Sequence, residues 1–222
     1  MNRSYGLRNL YRINKITIHH AAYVGDAQAI VNHLQGSSYS ANYVIGKDGE
    51  ILEDLPCHYA PITSSNRAND MQAITIEVAN SAGSPSWPIS NATWNALLQL
   101  CVELCSRFDI DPIWTGNSEG TFTTHDMFAA TLCPGPYLKS RMPELVNLVA
   151  TKLDEIETDE TNSKDRYYAL TEIPDWAYQT ISDLLDAGII NGNEKGLDLS
   201  EDMLRTIIIA DRMIIHAINK TK

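Results

Sequence analysis

Ile16-Thr17-Ile18-His19-His20-Ala21-Ala22 is the stretch on which the fold turns. Its β-branched run reads as a buried strand that delivers an imidazole at its carboxyl end. Outward from it, residues from about 13 to 153 alternate strand-like and helix-like segments. Ile13 to His19 is strand-like, and Asp26 to Leu34 is a short helix with Ala27, Ile30, Val31 and Leu34 on one face. Tyr43-Val44-Ile45 and Glu50-Ile51-Leu52 flank the turn signal Gly46-Lys47-Asp48-Gly49, which makes a hairpin of the pair. Ala73 to Val78 alternates only in part and reads as a central strand. Pro88 and Ser90 precede a long helix with Trp94, Leu97, Leu98, Cys101, Val102, Cys105 and Phe108 at helical spacing, and a last helix runs from about Pro143 to Leu153. The expected fold class is α/β: a mixed central β-sheet flanked by helices, followed by a small all-helical C-terminal module.

The 222 residues are 44% hydrophobic and 20% charged, as in an ordinary globular protein. A formal net charge of -11 argues against nucleic acid as a partner, because a phosphate backbone requires a basic surface. No apolar stretch approaches the roughly 20 residues that span a bilayer, so no membrane span is expected. Met1 to Lys15 carries Arg3, Arg8, Arg12 and Lys15 without an apolar core, which is not a conventional secretory signal. Of the four cysteines, Cys101 and Cys105 fall at i, i+4 in an apolar helical pattern and read as small core residues. A disulfide framework is not expected.

Chemistry enters with a second run, Thr124-His125 and, seven residues further on, Cys133-Pro134. That spacing sets a histidine and a cysteine on a loop rather than on one helical face. Two imidazoles and one thiolate make a three-ligand zinc set with a fourth position open for water, and an open zinc site is hydrolytic. Glu77 is an acid in an otherwise apolar strand, where a charge is costly unless something uses it; the bland alternative is an edge-strand glutamate facing solvent. His20 follows His19 and points to the opposite side of a strand, so its role is packing or support of the ligands. His33, His58 and His216 have no partner at ligand spacing. A metal-free reading would make Cys133 a nucleophile with His125 as its base.

Together, Ile16 to Ala22, the hairpin from Asn42 to Gly49, the strand Ile74-Thr75-Ile76-Glu77-Val78 and the Thr124-His125 and Thr131-Leu132-Cys133-Pro134 runs, in this order, resemble the zinc-dependent N-acetylmuramoyl-L-alanine amidases shared by phage amidases and peptidoglycan recognition proteins. The resemblance covers about residues 13 to 150. It implies Zn2+ held by His19, His125 and Cys133, with Glu77 facing the metal water and Thr131 donating to the scissile carbonyl or oxyanion. It implies hydrolysis of the bond between N-acetylmuramic acid and L-alanine in bacterial peptidoglycan. One departure stands out: many recognition-protein relatives carry a tyrosine where this chain has Ala41. The competing readings are a binding-only recognition protein and an intracellular amidase that recycles soluble muropeptides. Substrate contacts are expected from Asn66 and Arg67, in the polar loop that continues to Asn69 and Asp70, and from Trp87; Trp114 is a second tryptophan for either sugar stacking or core packing.

The expected organisation is a catalytic domain over 1–153, an acidic linker or frayed helix end over 154–165, and a helical module over 166–222. Asp154, Glu155, Glu157, Asp159 and Glu160 mark the linker. Pro174-Asp175-Trp176-Ala177, then Ile181, Leu184, Leu185 and Gly188-Ile189-Ile190-Asn191-Gly192, resembles half of an S-layer-homology-type cell-wall module; the bland alternative is a helix that begins near Trp176 and ends at Gly188. Wall binding and homodimerisation through Ile207, Ile208, Met213, Ile214 and Ile215 are the two expectations for it. A tail of this type on a chain without a secretory signal points to a phage or prophage endolysin, cytoplasmic until released and then acting at the cell wall.

Overall fold

The computed structural model describes residues 3–8, 11–162, 166–194 and 196–220, and the side chains of 157–162 and 212–220 lie outside the described set. The chain divides into two compact units, Met1–Ile156 and Glu157–Lys222. The first contains, in order, β1 (Ser4–Leu7), β2 (Lys15–His20), α1 (Ala27–Gln35), β3 (Tyr43–Ile45), β4 (Ile51–Glu53), β5 (Tyr59–Pro61), α2 (Arg67–Gln72), β6 (Ala73–Val78), α3 (Asn91–Phe108) and β7 (Phe122–Thr124). A 3-10 turn at His125–Met127 follows, and then α4 (Gly135–Asn162).

The central sheet runs β4-β3-β6-β2-β7. β2 is parallel to β6 and β7, β3 is parallel to β6, and only β4 is antiparallel to its neighbour. Both faces of β2 and β6 are covered, which is why their sequences read as near-continuous β-branched runs. One face carries Ile16, Ile18, Ile74, Ile76 and Phe122 into a core with Leu97, Leu104, Leu138, Met142 and Leu145 of α3 and α4. The other face packs Val44 and Ala79 against Ala27, Ile30, Val31 and Leu34 of α1. Side chains alternate between the faces, so Thr17, His19, Thr75 and Glu77 share the α1 side.

Local signals set the helix starts. Asp26 caps α1 by accepting from Ala29 N–H at 2.7 Å, Asn66 caps α2 from Asn69 N–H at 3.1 Å, and Ser90 caps α3 from Thr93 N–H at 3.0 Å. α4 departs from expectation at both ends. It starts eight residues before Pro143, keeps that proline inside, and carries the acidic run as helix to Asn162. Leu138, Met142, Leu145, Val146 and Val149 form one continuous buried stripe, and that burial outweighs the roughly 3 kcal/mol an interior proline costs.

β1 and β5 form a separate antiparallel pair that the sequence reading did not include. Buried Arg8 holds it in place. Its guanidinium donates to Cys57 O, Asp70 O and Ala73 O at 2.6–2.8 Å and to Asn42 Oδ1 at 3.2 Å, joining four distant segments. Every one of these acceptors is neutral, and burial pulls the Arg8 pKa down to about 10. Replacing Arg8 by Ala should destabilise this unit by at least ~3 kcal/mol, because several buried acceptors lose their donors together. An unchanged urea midpoint would show that water takes over those contacts.

The second unit contains β8 (Arg166–Tyr167), a 3-10 turn at Leu170–Glu172, α5 (Asp175–Asp186), β9 (Leu199–Ser200) and α6 (Glu201–Lys220). Two helices were expected; the short β8–β9 pair, braced by an Arg166–Asp198 ion pair at 2.5 Å, was not. Ile173, Ala177, Ile181, Leu199, Leu204 and Ile208 make its core. Trp176 stays half-exposed under the Arg205 guanidinium, 5.5 Å from its ring, and Gly188 turns the chain after α5 with φ +67°. Ile208, offered above for dimerisation, is used in this unit's own core, and the side chains of Met213, Ile214 and Ile215 lie outside the described residues. Among the described residues, no helix is long and apolar enough to cross a membrane.

Candidate active site

Parallel strands bring their carboxyl ends to one edge of the sheet, where ligand sites of such sheets form. β2 ends with His19 and His20, β6 with Glu77 and Val78, and β7 runs directly into the turn that carries His125. His19 and Glu77 are register partners on adjacent strands. The His19 and His125 rings lie 4.6 Å apart between centroids, tilted by 48°. Cys133 arrives on the loop before α4. Its carbonyl accepts from Asp126 N–H at 3.1 Å, and its Sγ accepts from the His20 backbone N–H at 3.3 Å. One ligand atom from each of His19, His125 and Cys133 then falls within 4.8 Å of the other two.

The donor set fits a divalent cation. The Nε2 atoms of His19 and His125 are buried and without a hydrogen-bond partner, which is costly for neutral polar atoms unless an ion uses their lone pairs. Burial first, and then the neighbouring His125 and His20 rings, hold His19 well below the ordinary histidine range, so it stays an unprotonated donor. Burial also lowers His125. It pushes the Cys133 thiol up, with the Glu77 carboxylate adding to the effect. A thiol raised in this way is a poor free nucleophile, since activation requires a lowered pKa. Burial thus weighs against the metal-free Cys133–His125 reading, whereas a cation would drive the thiol to the thiolate.

Glu77 stands beside this cradle in the middle of the sheet. Its side chain is 14% exposed, with Oε1 3.9 Å from His19 Nδ1 and Oε2 buried and unpartnered. Desolvation raises its pKa to about 7, and a bound dication would pull it back down. The edge-strand alternative fails, because β6 lies between β3 and β2. A groove of about 270 Å3 opens at Glu77 and His125 and is walled by Ile30, His33, Tyr39, Ser40, Thr63 and Ser65. His33 was set aside in the sequence reading for want of a partner at ligand spacing, and Tyr39, Ser40, Thr63 and Ser65 escaped it. The signal for them was slight: short hydroxyl residues in loops, with Ser65 turned into φ +59°.

The other residues singled out in the sequence are placed as follows. Thr131 Oγ1 accepts from Cys133 N–H at 3.2 Å and so braces the cysteine loop. Asn66 caps α2. Arg67 is exposed at the start of α2, with its guanidinium 5.7 Å from the Tyr5 ring. Trp87, at φ +50°, meets the His20 ring edge-on at 5.2 Å between centroids. His20 thus packs on the sheet face opposite His19. Gly135 makes room for both residues, since a Cβ there would sit 3.1 Å from Trp87 Cβ and 3.4 Å from the His20 ring. Trp114 packs against the main core, and Ala41 is fully buried. The cradle, Glu77 and the Thr131 loop come together; Asn66, Arg67 and Trp87 are not part of the groove wall.

The sheet edge, its carboxylate and its three-donor cradle have the make-up of a metal-assisted hydrolase site. Sequence comparison makes the assignment specific: the chain belongs to the Amidase_2 family, N-acetylmuramoyl-L-alanine amidase, whose profile matches residues 9–136, more than half of its length. No curated protein sequence matches it significantly. Among solved structures, a mutant form of PlyL is similar with a TM-score of 0.54 at 15% identity, over 67% of this chain and 89% of that one. The catalytic domain of XlyA gives 0.52 at 17% identity, over 67% and 92%. A mutant endolysin from Bacillus subtilis gives 0.53 at 17% identity, over 67% and 91%. At these identities the likenesses establish the α/β fold.

Proposed function

We propose that this chain hydrolyses the amide between the lactyl group of N-acetylmuramic acid and L-alanine in bacterial peptidoglycan. The observation that carries the reading is the convergence of His19, His125 and Cys133 within 4.8 Å, with the Glu77 carboxylate beside them. Zinc held by those three donors would supply a water of lowered pKa and polarise the carbonyl. Glu77 takes the proton from the attacking water and returns it to the departing alanine amine. The Thr131 hydroxyl, whose oxygen accepts from Cys133 N–H, keeps its own proton free to donate toward the developing oxyanion. Ser40, Thr63 and Ser65 line the groove that receives the glycopeptide. Arg67 keeps an exposed guanidinium two residues along from Ser65 and is assigned the stem-peptide carboxylate, while Asn66 and Trp87 shape the loops that carry the site.

A binding-only protein would need the groove but not the donors. The presence of all three donors and of Glu77 favours the enzyme. The test is a soluble muropeptide digest read by mass spectrometry. A new free L-alanine N-terminus with no new reducing sugar supports the reading; an intact substrate opposes it.

We extend the reading to lysis of polymeric wall, with Glu157–Lys222 as a wall-binding or self-associating unit. The support is its own core and its Trp-Ala to Gly-Ile-Ile-x-Gly sequence pattern. Cutting the chain after Asp159 should leave muropeptide turnover within about twofold and reduce the clearing of whole walls severalfold. Equal clearing by both forms would show that this unit is not needed at the wall.

A further inference from the structure

Each strand that delivers a working residue carries a threonine two positions before it: Thr17 before His19, Thr75 before Glu77, Thr123 before His125. The three are in register, Thr17 opposite Thr75 on one side and Thr123 on the other, and all are fully buried. Thr17 and Thr75 share a strand face with His19 and Glu77, and Thr123 pairs with Thr17 one residue before the end of β7, which leads into the turn that carries His125. Valine would fill such positions without a buried hydroxyl to satisfy.

The hydroxyls are joined in directed chains. Asn69 Nδ2 donates to Thr17 Oγ1 at 3.0 Å, Thr17 and Thr123 hydroxyls meet at 2.9 Å, and Thr123 Oγ1 donates onward to Ile16 O at 3.4 Å. On the other side, Thr75 and Thr63 hydroxyls meet at 3.1 Å, and Thr63 Oγ1 donates to Ser40 O at 2.6 Å. Asn69 Nδ2 also reaches Ser64 Oγ at 3.3 Å. Ser64 Oγ–H donates to the buried Asp70 carboxylate at 2.6 Å, and Asp70 further accepts from Thr63 N–H at 3.0 Å. Thr63 and Ser40 belong to the groove wall. One hydrogen-bonded layer therefore joins the strands that bear His19, His125 and Glu77 to the wall that faces substrate.

We propose that Thr17, Thr75 and Thr123 are positioning residues, the Thr17–Thr123 bond setting the separation of the two imidazoles and the Thr75–Thr63 bond setting Glu77 against the groove wall. This rests on the reading of His19, His125 and Glu77 as the working groups. Valine retains the shape and strand preference of threonine, and Asn69 Nδ2 keeps Ser64 Oγ while Thr123 Oγ1 keeps Ile16 O, so the cost to stability at position 17 stays small while position is lost.

The test compares Thr17→Val, Thr17→Ser and Thr75→Val in the full chain, measuring zinc affinity against a chromophoric chelator, kcat and KM on soluble muropeptide, and Tm. Thr17→Val should weaken zinc about tenfold, as loss of an outer support does, with Tm within a few degrees of the parent. Thr17→Ser, which keeps the hydroxyl, should restore the affinity. Thr75→Val should leave zinc affinity unchanged and lower kcat severalfold. If Thr17→Val does not fold, Thr123→Val breaks the same bond from the other strand. Parental zinc affinity in the valine variants at 17 and 123 overturns the proposal, as does equal loss in valine and serine variants at 17. A parent that binds zinc but cleaves no muropeptide would defeat the functional reading, while the zinc comparison would still decide this one.

Discussion

Glu77→Ala retains zinc and loses turnover by roughly 10²–10⁴-fold, the range that a positioned proton carrier contributes. The size follows from the site. Oε1 lies 3.9 Å from His19 Nδ1, and Oε2 is buried without a partner, so the carboxylate is aimed at the cradle without being tied to anything else in it. Because Glu77 is not among the three converging donors, metal content should stay at one equivalent per chain. Near-parental rates in the variant would remove Glu77 from the reaction. Loss of metal together with rate would make it a ligand or a support of one.

Cys133→Ser has the second large effect. Serine keeps the size of the side chain but offers a hydroxyl in place of a soft anionic donor. The His20 N–H that now points at Sγ would then face a neutral oxygen. Zinc affinity should fall by more than the ~10–100-fold attached to loss of an outer partner, and amidase activity should fall with it at submicromolar zinc. Excess zinc should restore part of the rate, because His19 and His125 remain. An unchanged zinc affinity would contradict ligation by Cys133.

Much of this was legible in the chain because the informative residues break local patterns. A histidine ending the β-branched run at Ile16–Ile18 and a glutamate inside Ile74–Val78 are costly choices for buried strands, and both lie at the site. The start of α4 was hidden because Pro143 reads as a helix beginning, whereas the buried stripe from Leu138 to Val149 overrides it. β1 and β5 were hidden because the bonds that hold them run from Arg8 to partners 34 to 65 residues away. The groove wall was hidden for a similar reason: Ser40 and Thr63 are ordinary loop residues until tertiary hydrogen bonds fix them. The threonine row did leave a trace, a Thr at the same offset before His19, Glu77 and His125, but its meaning requires the register of three strands.

The most direct measurement of the central claim is digestion of purified peptidoglycan with zinc-loaded protein, with and without chelator, followed by mass spectrometry of the new ends. Free N-terminal L-alanine that disappears on chelation and returns with zinc is the predicted result. New reducing sugars, or L-alanine release that persists in chelator after the zinc has been removed, would contradict it.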